Sequence, residues 1–306
     1  MDKKDSIIIG GGIAGLQASI QLGRYNHNVL VVDSNQGRST ICKCFHNILG
    51  WPNGISGEEL RRLGKLHAEK YGVAFENDKV INLEKRDEIF VLKTEKNAEY
   101  KSKTIFLATG LVDNLPDIDN LYQCLGKSIY VCPDCDGYET TAKKTVVLGT
   151  GNAGANMAVT LTYWSDDIVF VNHDQSTIDH KASDALEEHN IQVINEPVTK
   201  ILLDEDENLT GILLGSGTIV EAERGFTGFR GNKMNYELAE QAGVTLNEKK
   251  HVLVNPRTKE TNVEGIWAGG DLIAHSEQTT IAMGDGSQAA IWIHKRLMGE
   301  GPPEEE

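Results

Sequence analysis

Cysteine is scarce in this chain. Five residues in 306 are too few for a disulfide framework of the kind that staples small secreted domains. Proline is scarce too, at seven positions, and with 40% hydrophobic residues the composition excludes a disordered or collagen-like chain and leaves a globular one. No stretch reaches the roughly 18 consecutive apolar residues of a membrane-spanning helix. Positive charge is in deficit, with 30 Lys and Arg against 45 Asp and Glu for a net charge of −15. This argues against nucleic acid as the main partner, because phosphate backbones need a basic surface. It does not exclude a small phosphorylated ligand held by backbone N–H groups. The apolar run Ser6–Ile9 is too short for a signal-peptide core. The expectation is a cytoplasmic chain with reduced thiols, in which a close cysteine pair points to catalysis or metal binding. The end, Gly301–Glu306, reads as a solvated tail. The length predicts about two domains.

One pattern occurs twice. An aliphatic run, Ser6–Ile9, leads into Gly10-Gly11-Gly12-Ile13-Ala14-Gly15, and a second, Thr145–Leu148, leads into Gly149-Thr150-Gly151-Asn152-Ala153-Gly154. Each is G-x-G-x-x-G between a strand-like run and a helix-like stretch; in the first copy Ile13, Leu16 and Ile20 share one helical face. A further apolar run follows each copy, ending at Asp33 and at Asn172, 23 residues beyond the first glycine in both cases (10 to 33, 149 to 172). Equal spacing points to two βαβ units of one design. In such units the first glycine makes the turn, the second admits a pyrophosphate, and the third lets helix and strand pack closely. The pyrophosphate sits on the helix N-terminus. A single copy is weak evidence; two in the same context are strong.

The residue ending the second run separates the copies. Asp33 can accept hydrogen bonds from a ribose 2′-hydroxyl. Copy two has Asn172-His173-Asp174 there, with no Arg or Lys from Ile168 through Asp179. A 2′-phosphate would lack a cation and face a carboxylate.

Two more runs follow: Lys103–Gly110, which ends at a glycine, and Gly265–Asp271, which ends in an acid. Thr279–Met298 reads as a long helix. The predicted class is α/β, two Rossmann-like domains with the second inserted into the first. The boundaries are placed at 1–115 and 245–306 for the outer domain and 116–244 for the inserted one.

Val131-Cys132-Pro133-Asp134-Cys135-Asp136-Gly137 is a CxxC followed by an acid. Two intervening residues put both sulfurs within disulfide reach at a helix start, where a thiolate is stabilised. Asp136 can take or supply a proton as thiol and disulfide interconvert, whereas Asp134 raises a thiol pKa. A zinc site would need Cys42 and Cys44 as the other two sulfurs, at the wrong spacing for a knuckle, so no metal site is expected. Cys124 reads as a small buried side chain. Cys42 and Cys44 fall in the loop after Asp33, near the first cofactor's expected course, with packing and a local redox role both open.

Taken together these residues resemble the low-molecular-weight thioredoxin reductase family over nearly the whole chain. The resemblance rests on the first glycine motif, Ala108-Thr109-Gly110, Cys132-x-x-Cys135-Asp136-Gly137, the second glycine motif, and Ala268-Gly269-Gly270-Asp271 with Gln278-Thr279 opening the last helix. It implies FAD in the outer domain at Gly10, Gly12, Gly15 and Asp33, with Asn47, Thr109 and Gly110 close to the flavin. Asp271 would lie at the ribityl or pyrophosphate part, and Gln278 and Thr279 at the flavin N1–C2=O edge. It implies a CxxC and a nicotinamide site at Gly149, Gly151 and Gly154 in the inserted domain, and a homodimer. By analogy Cys135 faces the flavin and Cys132 exchanges with the partner, a thioredoxin-like protein or a small dithiol or disulfide. The family's His-Arg-Arg for the 2′-phosphate aligns with Asn172-His173-Asp174, so both arginines are missing. The loop His46–Trp51 is closer to the gliotoxin- and holomycin-type dithiol oxidases, which keep FAD and CxxC without NADPH, although those have His where this chain has Asp136. Ferredoxin-dependent reductase-like flavoproteins also lack the NADPH motif. Three readings follow: a thioredoxin reductase-like enzyme driven by ferredoxin, NADH or another reductant; a dithiol oxidase passing electrons to oxygen; and a redox-sensing flavoprotein that does not turn over.

Overall fold

The computed structural model describes residues 3–300, so the expected tail lies outside the described residues. The chain forms two compact units.

The first unit comprises Met1–Thr40, Gly57–Val112 and Lys233–Glu306. Its sheet contains β1 (Lys4–Ile9), β2 (Val29–Asp33), β3 (Ala74–Asn77), β4 (Val80–Arg86), β5 (Ile89–Thr94) and β6 (Glu99–Leu107). The order is β3-β2-β1-β6-β5-β4. β1, β2, β3 and β6 run parallel, β4 and β5 antiparallel, and Ile266–Ala268 adds a further parallel strand on β6. Both faces of β1 are buried, which is why it reads as an unbroken aliphatic run. Ile7 and Ile9 join Leu30, Val32, Ile105 and Leu107 on one side. On the other, Ile8 joins Val31, Phe106 and Trp267 beneath α1 (Ile13–Arg24) and the C-terminal helix Thr279–Leu297. α1 is buried well beyond the predicted stripe, because that C-terminal helix packs on it: a Cβ at Gly286 would run into the Ala14 carbonyl.

The second unit comprises Ile41–Ser56 and Asp113–Asn232. Its five-stranded parallel sheet runs in the order Gln192–Ile194, Ile168–Asn172, Thr145–Gly149, Arg224–Gly228, Ile129–Tyr130. Both sheets repeat the 3-2-1-4 strand order of a doubly wound fold, with the glycine turn at the switch point where ligands bind. The architecture is therefore α/β with two Rossmann-like units, as expected.

The unit boundaries differ from those read in the sequence. The expected break near Val244 falls at Lys233, because Lys233–Met234 pairs with Leu111–Val112, Asn235 exchanges hydrogen bonds with Thr109, and Leu238 and Ala239 enter the first core. Residues 41–56 belong to the second unit instead of the first. There the Lys43 N–H donates to the Leu125 carbonyl (2.9 Å), and Ile41 packs against the second core.

Candidate functional site

The first glycine turn is held open. Gly10 has φ +105°, a conformation an L side chain rarely takes, and a Cβ there would strike the Ala108 carbonyl. A Cβ at Gly15 would strike the Gly10 carbonyl, which is the close helix–strand approach that the motif requires. At Gly12 a Cβ would meet nothing within 4 Å. Gly12 is also the N-cap of α1, so no cap side chain occupies the helix N-terminus, whose N–H groups and dipole suit an anion. These residues fit the pyrophosphate of a dinucleotide such as FAD.

Two arginines that carry no motif hold the acids beside this turn. Arg61, on the helix Gly57–Glu69, donates to the Gly11 carbonyl (2.7 Å), to Asp33 Oδ2 (2.8 Å) and to Asn35 (2.8 Å). Arg38 donates to Asp271 (3.1 Å) and Glu277 (2.7 Å). Each carboxylate expected at the cofactor is thus oriented by a guanidinium of its own unit. Thr109 donates its hydroxyl to the Asn235 carbonyl (2.7 Å), which fastens Ala108-Thr109-Gly110 to the segment after Met234. Gln278 is the N-cap of the C-terminal helix and Thr279 its first residue. Asn47, expected near the flavin, belongs to the second unit with Cys42 and Cys44.

The second glycine turn is covered by its own chain. The Gly151 N–H donates to Asn172 Oδ1 (2.9 Å), and Asn172 Nδ2 donates to the Ser176 carbonyl and to Asn195 (both 2.8 Å). A Cβ at Gly151 would lie 2.9 Å from the Thr177 carbonyl and 3.2 Å from Ser176 Cβ. Asn152 hydrogen-bonds to the Asp179 backbone and carboxylate, and Asp179 in turn caps the helix His180–Glu188. His173 Nδ1 accepts from the Val198 N–H (3.0 Å). Gly149 and Gly154 pack on one another, Gly149 also against the Gly228 carbonyl and Gly154 against the Phe170 ring.

Cys132 and Cys135 form a disulfide with Cα atoms 5.3 Å apart. Cys132 is the N-cap of a single helical turn, Pro133–Asp136, with proline at its first position, where its missing N–H costs nothing. Behind the turn, a Cβ at Gly137 would lie 2.6 Å from the Trp164 ring. Asp136 accepts from His46 Nδ1 at 3.1 Å. That hydrogen bond, working against burial, holds the imidazole above its ordinary pKa. Cys44 is pushed up by burial and then by Asp136 and Glu139. Cys124 is fully buried, as expected, and burial raises its thiol to about 11. Among the described residues no group of three or more His, Cys, Asp or Glu could hold a metal ion, and no helix is long and apolar enough to cross a membrane.

Residues 4–286 match the family model described as pyridine nucleotide-disulphide oxidoreductase. A thioredoxin reductase of Rickettsia bellii is 27% identical over 307 residues, covering 95% of this chain and 97% of that protein. The 34.2 kDa protein in the rubredoxin operon of Clostridium pasteurianum is 29% identical, covering 97% and 98%. The crystal structure of HlmI superimposes with a TM-score of 0.85 at 27% identity, over 97% of this chain and 93% of that one. The chain belongs to the pyridine nucleotide-disulphide oxidoreductase family, among its low-molecular-weight thioredoxin reductase-like flavoproteins, flavin-dependent disulfide oxidoreductases that bind FAD.

Proposed function

We propose that this chain moves electrons between FAD, bound at Gly10, Gly12, Gly15, Asp33 and Asp271, and the Cys132–Cys135 pair, and that its reductant is not NADPH. The observation that carries the second half is the cover over the second glycine turn. Gly12 has open space where a pyrophosphate would lie, whereas Gly151 has Thr177 and Ser176 there. The Gly151 N–H, which would otherwise face phosphate oxygens, is taken by Asn172. No Arg or Lys stands between Ile168 and Asp179 to meet a 2′-phosphate, and Asp174 would repel one.

When bound, FAD would supply a two-electron carrier for the pair. The protein's own part is thiol–disulfide exchange. The Cys132 thiolate attacks a partner disulfide to give a mixed disulfide, and the Cys135 thiolate then displaces the partner's second sulfur. Two electrons and two protons pass to the partner, and the Cys132–Cys135 disulfide re-forms. The partner is a thioredoxin-like protein or a small disulfide, and the donor a reduced ferredoxin or another non-phosphorylated reductant. We further infer a cytoplasmic homodimer. The closed second turn also supports a second reading, in which a dithiol reduces the pair and oxygen is the final two-electron acceptor, with hydrogen peroxide as the product.

The test is an anaerobic titration with NADPH, NADH and reduced ferredoxin, following flavin absorbance near 450 nm. Bleaching by ferredoxin and not by NADPH is expected. Rapid bleaching by NADPH overturns the assignment of the reductant. Aerobic peroxide formation on adding a dithiol, without nicotinamide, would select the oxidase reading.

A further inference from the structure

Asp136 is not alone beside the redox pair. His46 lies 90 positions earlier in the chain, yet its Nδ1 is 3.1 Å from Asp136 Oδ1. A carboxylate only accepts, so Nδ1 carries the hydrogen and Nε2 is the nitrogen that gains or loses a proton. Both side chains are largely buried, at 28% and 12% exposure. Both backbones are also fixed. Phe45 and Ile55 pair across the loop that carries His46, with hydrogen bonds of 2.7 and 3.1 Å. The Asp136 N–H donates to the Cys132 carbonyl (3.0 Å). The Tyr130 ring stands edge-on to the imidazole at 6.1 Å and is anchored by its hydroxyl on the Lys127 carbonyl. The charged and titratable groups facing His46 are Asp136 and Glu139, which favour the imidazolium, and Arg224, which opposes it; Cys44 also feels Asp136 and Glu139.

We propose that His46 is a positioning residue for thiol–disulfide exchange: acting through Asp136, it sets the proton content of the pair that serves the Cys132 and Cys135 sulfurs. The inference rests on the reading of Cys132–Cys135 as the redox pair. With a dithiol as reductant, the first attacking thiol gives its proton to the His46–Asp136 pair, which holds a neutral imidazole and a carboxylate before the transfer, and its sulfur bonds to Cys132. The Cys132–Cys135 bond breaks, and the departing Cys135 sulfur takes the proton back. The second thiol of the dithiol attacks its own bound sulfur by the same route, and Cys132 leaves as a thiol. One cyclic disulfide and two protein thiols result, with two electrons and two protons moved.

The test is anaerobic reduction of the oxidised flavoprotein by dithiothreitol across pH 5.5–9, with acid quenching and counting of Cys132 and Cys135 thiols by mass. His46→Gln keeps an N–H that can reach Asp136, so a purely structural bridge survives the change, whereas a proton function does not. The expected result is an inflection from the His46–Asp136 pair in the unmodified protein, lost in His46→Gln, with exchange about a hundredfold slower at pH 7, the low end for general acid–base assistance. Asp136→Asn should behave the same way, and the double variant should be no slower than either. A His46→Gln protein with unchanged rate and profile overturns the proposal. If that variant does not fold, the profile of the unmodified protein decides, and a single thiol-governed rise with pH overturns it. Should the unmodified pair not exchange with dithiothreitol at all, the redox-pair reading falls and His46 with it.

Discussion

The backbone N–H of Gly151 donates to the side-chain oxygen of Asn172 at 2.9 Å. The residue that ends the second strand of a dinucleotide-binding unit ordinarily faces a ribose. Here it is turned onto the phosphate turn itself, 1% exposed, and its amide holds Ser176 and Asn195. The closed turn therefore depends on this side chain. Asn172→Ala leaves the Gly151 N–H and two acceptors without their partner. It should lower stability by roughly 2–4 kcal/mol, the cost of unsatisfied buried polar groups, read from urea unfolding. Asn172→Asp should also destabilise, because a carboxylate cannot donate to Ser176 or Asn195, and it should not confer NADH binding while Asn152 and Asp179 remain joined. Tight NADH binding by Asn172→Asp would contradict this account.

Gly12→Val should give a folded, colourless protein. Gly12 has φ −72°, which any residue adopts, and a Cβ there meets no protein atom within 4 Å. The isopropyl group would fill the space assigned to the pyrophosphate. Gly15→Ala should fail for the other reason, since its methyl collides with the Gly10 carbonyl and forces α1 off β1. Flavin absorbance per mole of protein, set beside far-ultraviolet circular dichroism, separates the two outcomes. A fully yellow Gly12→Val protein would remove the first cofactor site.

What the sequence carries locally was legible, and what depends on distant chain was not. Gly10, Gly12 and Gly15 declare their roles because the turn, the close approach and the helix start lie within six residues of one another. The missing arginines after Ile168 were legible for the same reason. Asn172 could be seen to replace an acid, but its bond to Gly151 depends on how the segment through Asp179 folds back. Arg61 reaches Asp33 from 28 positions away, on a helix with no motif. His46 and Asp136 each stand out in the sequence, in separate contexts, and only the fold brings them together. The placing of residues 41–56 followed the chain from Asp33, whereas Lys43 and Ile41 attach that segment to the second unit.

Thiol labelling should rank the cysteines. In the reduced native protein, burial raises Cys124 to about 11, so at pH 8 only about one thiol in a thousand is ionised, and its sulfur sits against the Leu121 carbonyl. Cys44 is raised too, by burial first and then by Asp136 and Glu139. Iodoacetamide at pH 8 should therefore modify Cys132 and Cys135 only after reduction, and Cys124 only after unfolding. Peptide mass mapping reads the order, and Cys124 alkylated in the native protein as fast as Cys132 would refute it.

The last prediction concerns Asp285, whose side chain is 4% exposed and carries three partners. Lys259 Nζ lies 3.0 Å from one oxygen. His275 Nε2 (2.6 Å) and the Gly270 N–H (2.9 Å) meet the other. Burial pushes the carboxyl up, but hydrogen bonds from His275, Gly270 and Lys259 outweigh it and hold Asp285 below its ordinary value. The His275 hydrogen bond to Asp285, against burial, holds the imidazole above its own. The two signs differ. The Asp285 contribution is present above the unfolded carboxyl value near 4 and is lost as pH falls through the lowered folded value. The His275 contribution is full below about pH 6.5 and is lost as pH rises through the raised folded value. Asp285→Asn leaves Lys259, itself only 12% exposed, without its counter-charge and should cost roughly 3–5 kcal/mol, as breaking a buried pair does. His275→Gln can still donate to Asp285, so it should flatten the decline above pH 6.5 and leave the acid limb in place. Urea midpoints at half-unit intervals from pH 4 to 8 would show this. Parallel curves for His275→Gln and the unmodified protein above pH 6.5 would mean that His275 does not couple to folding through Asp285.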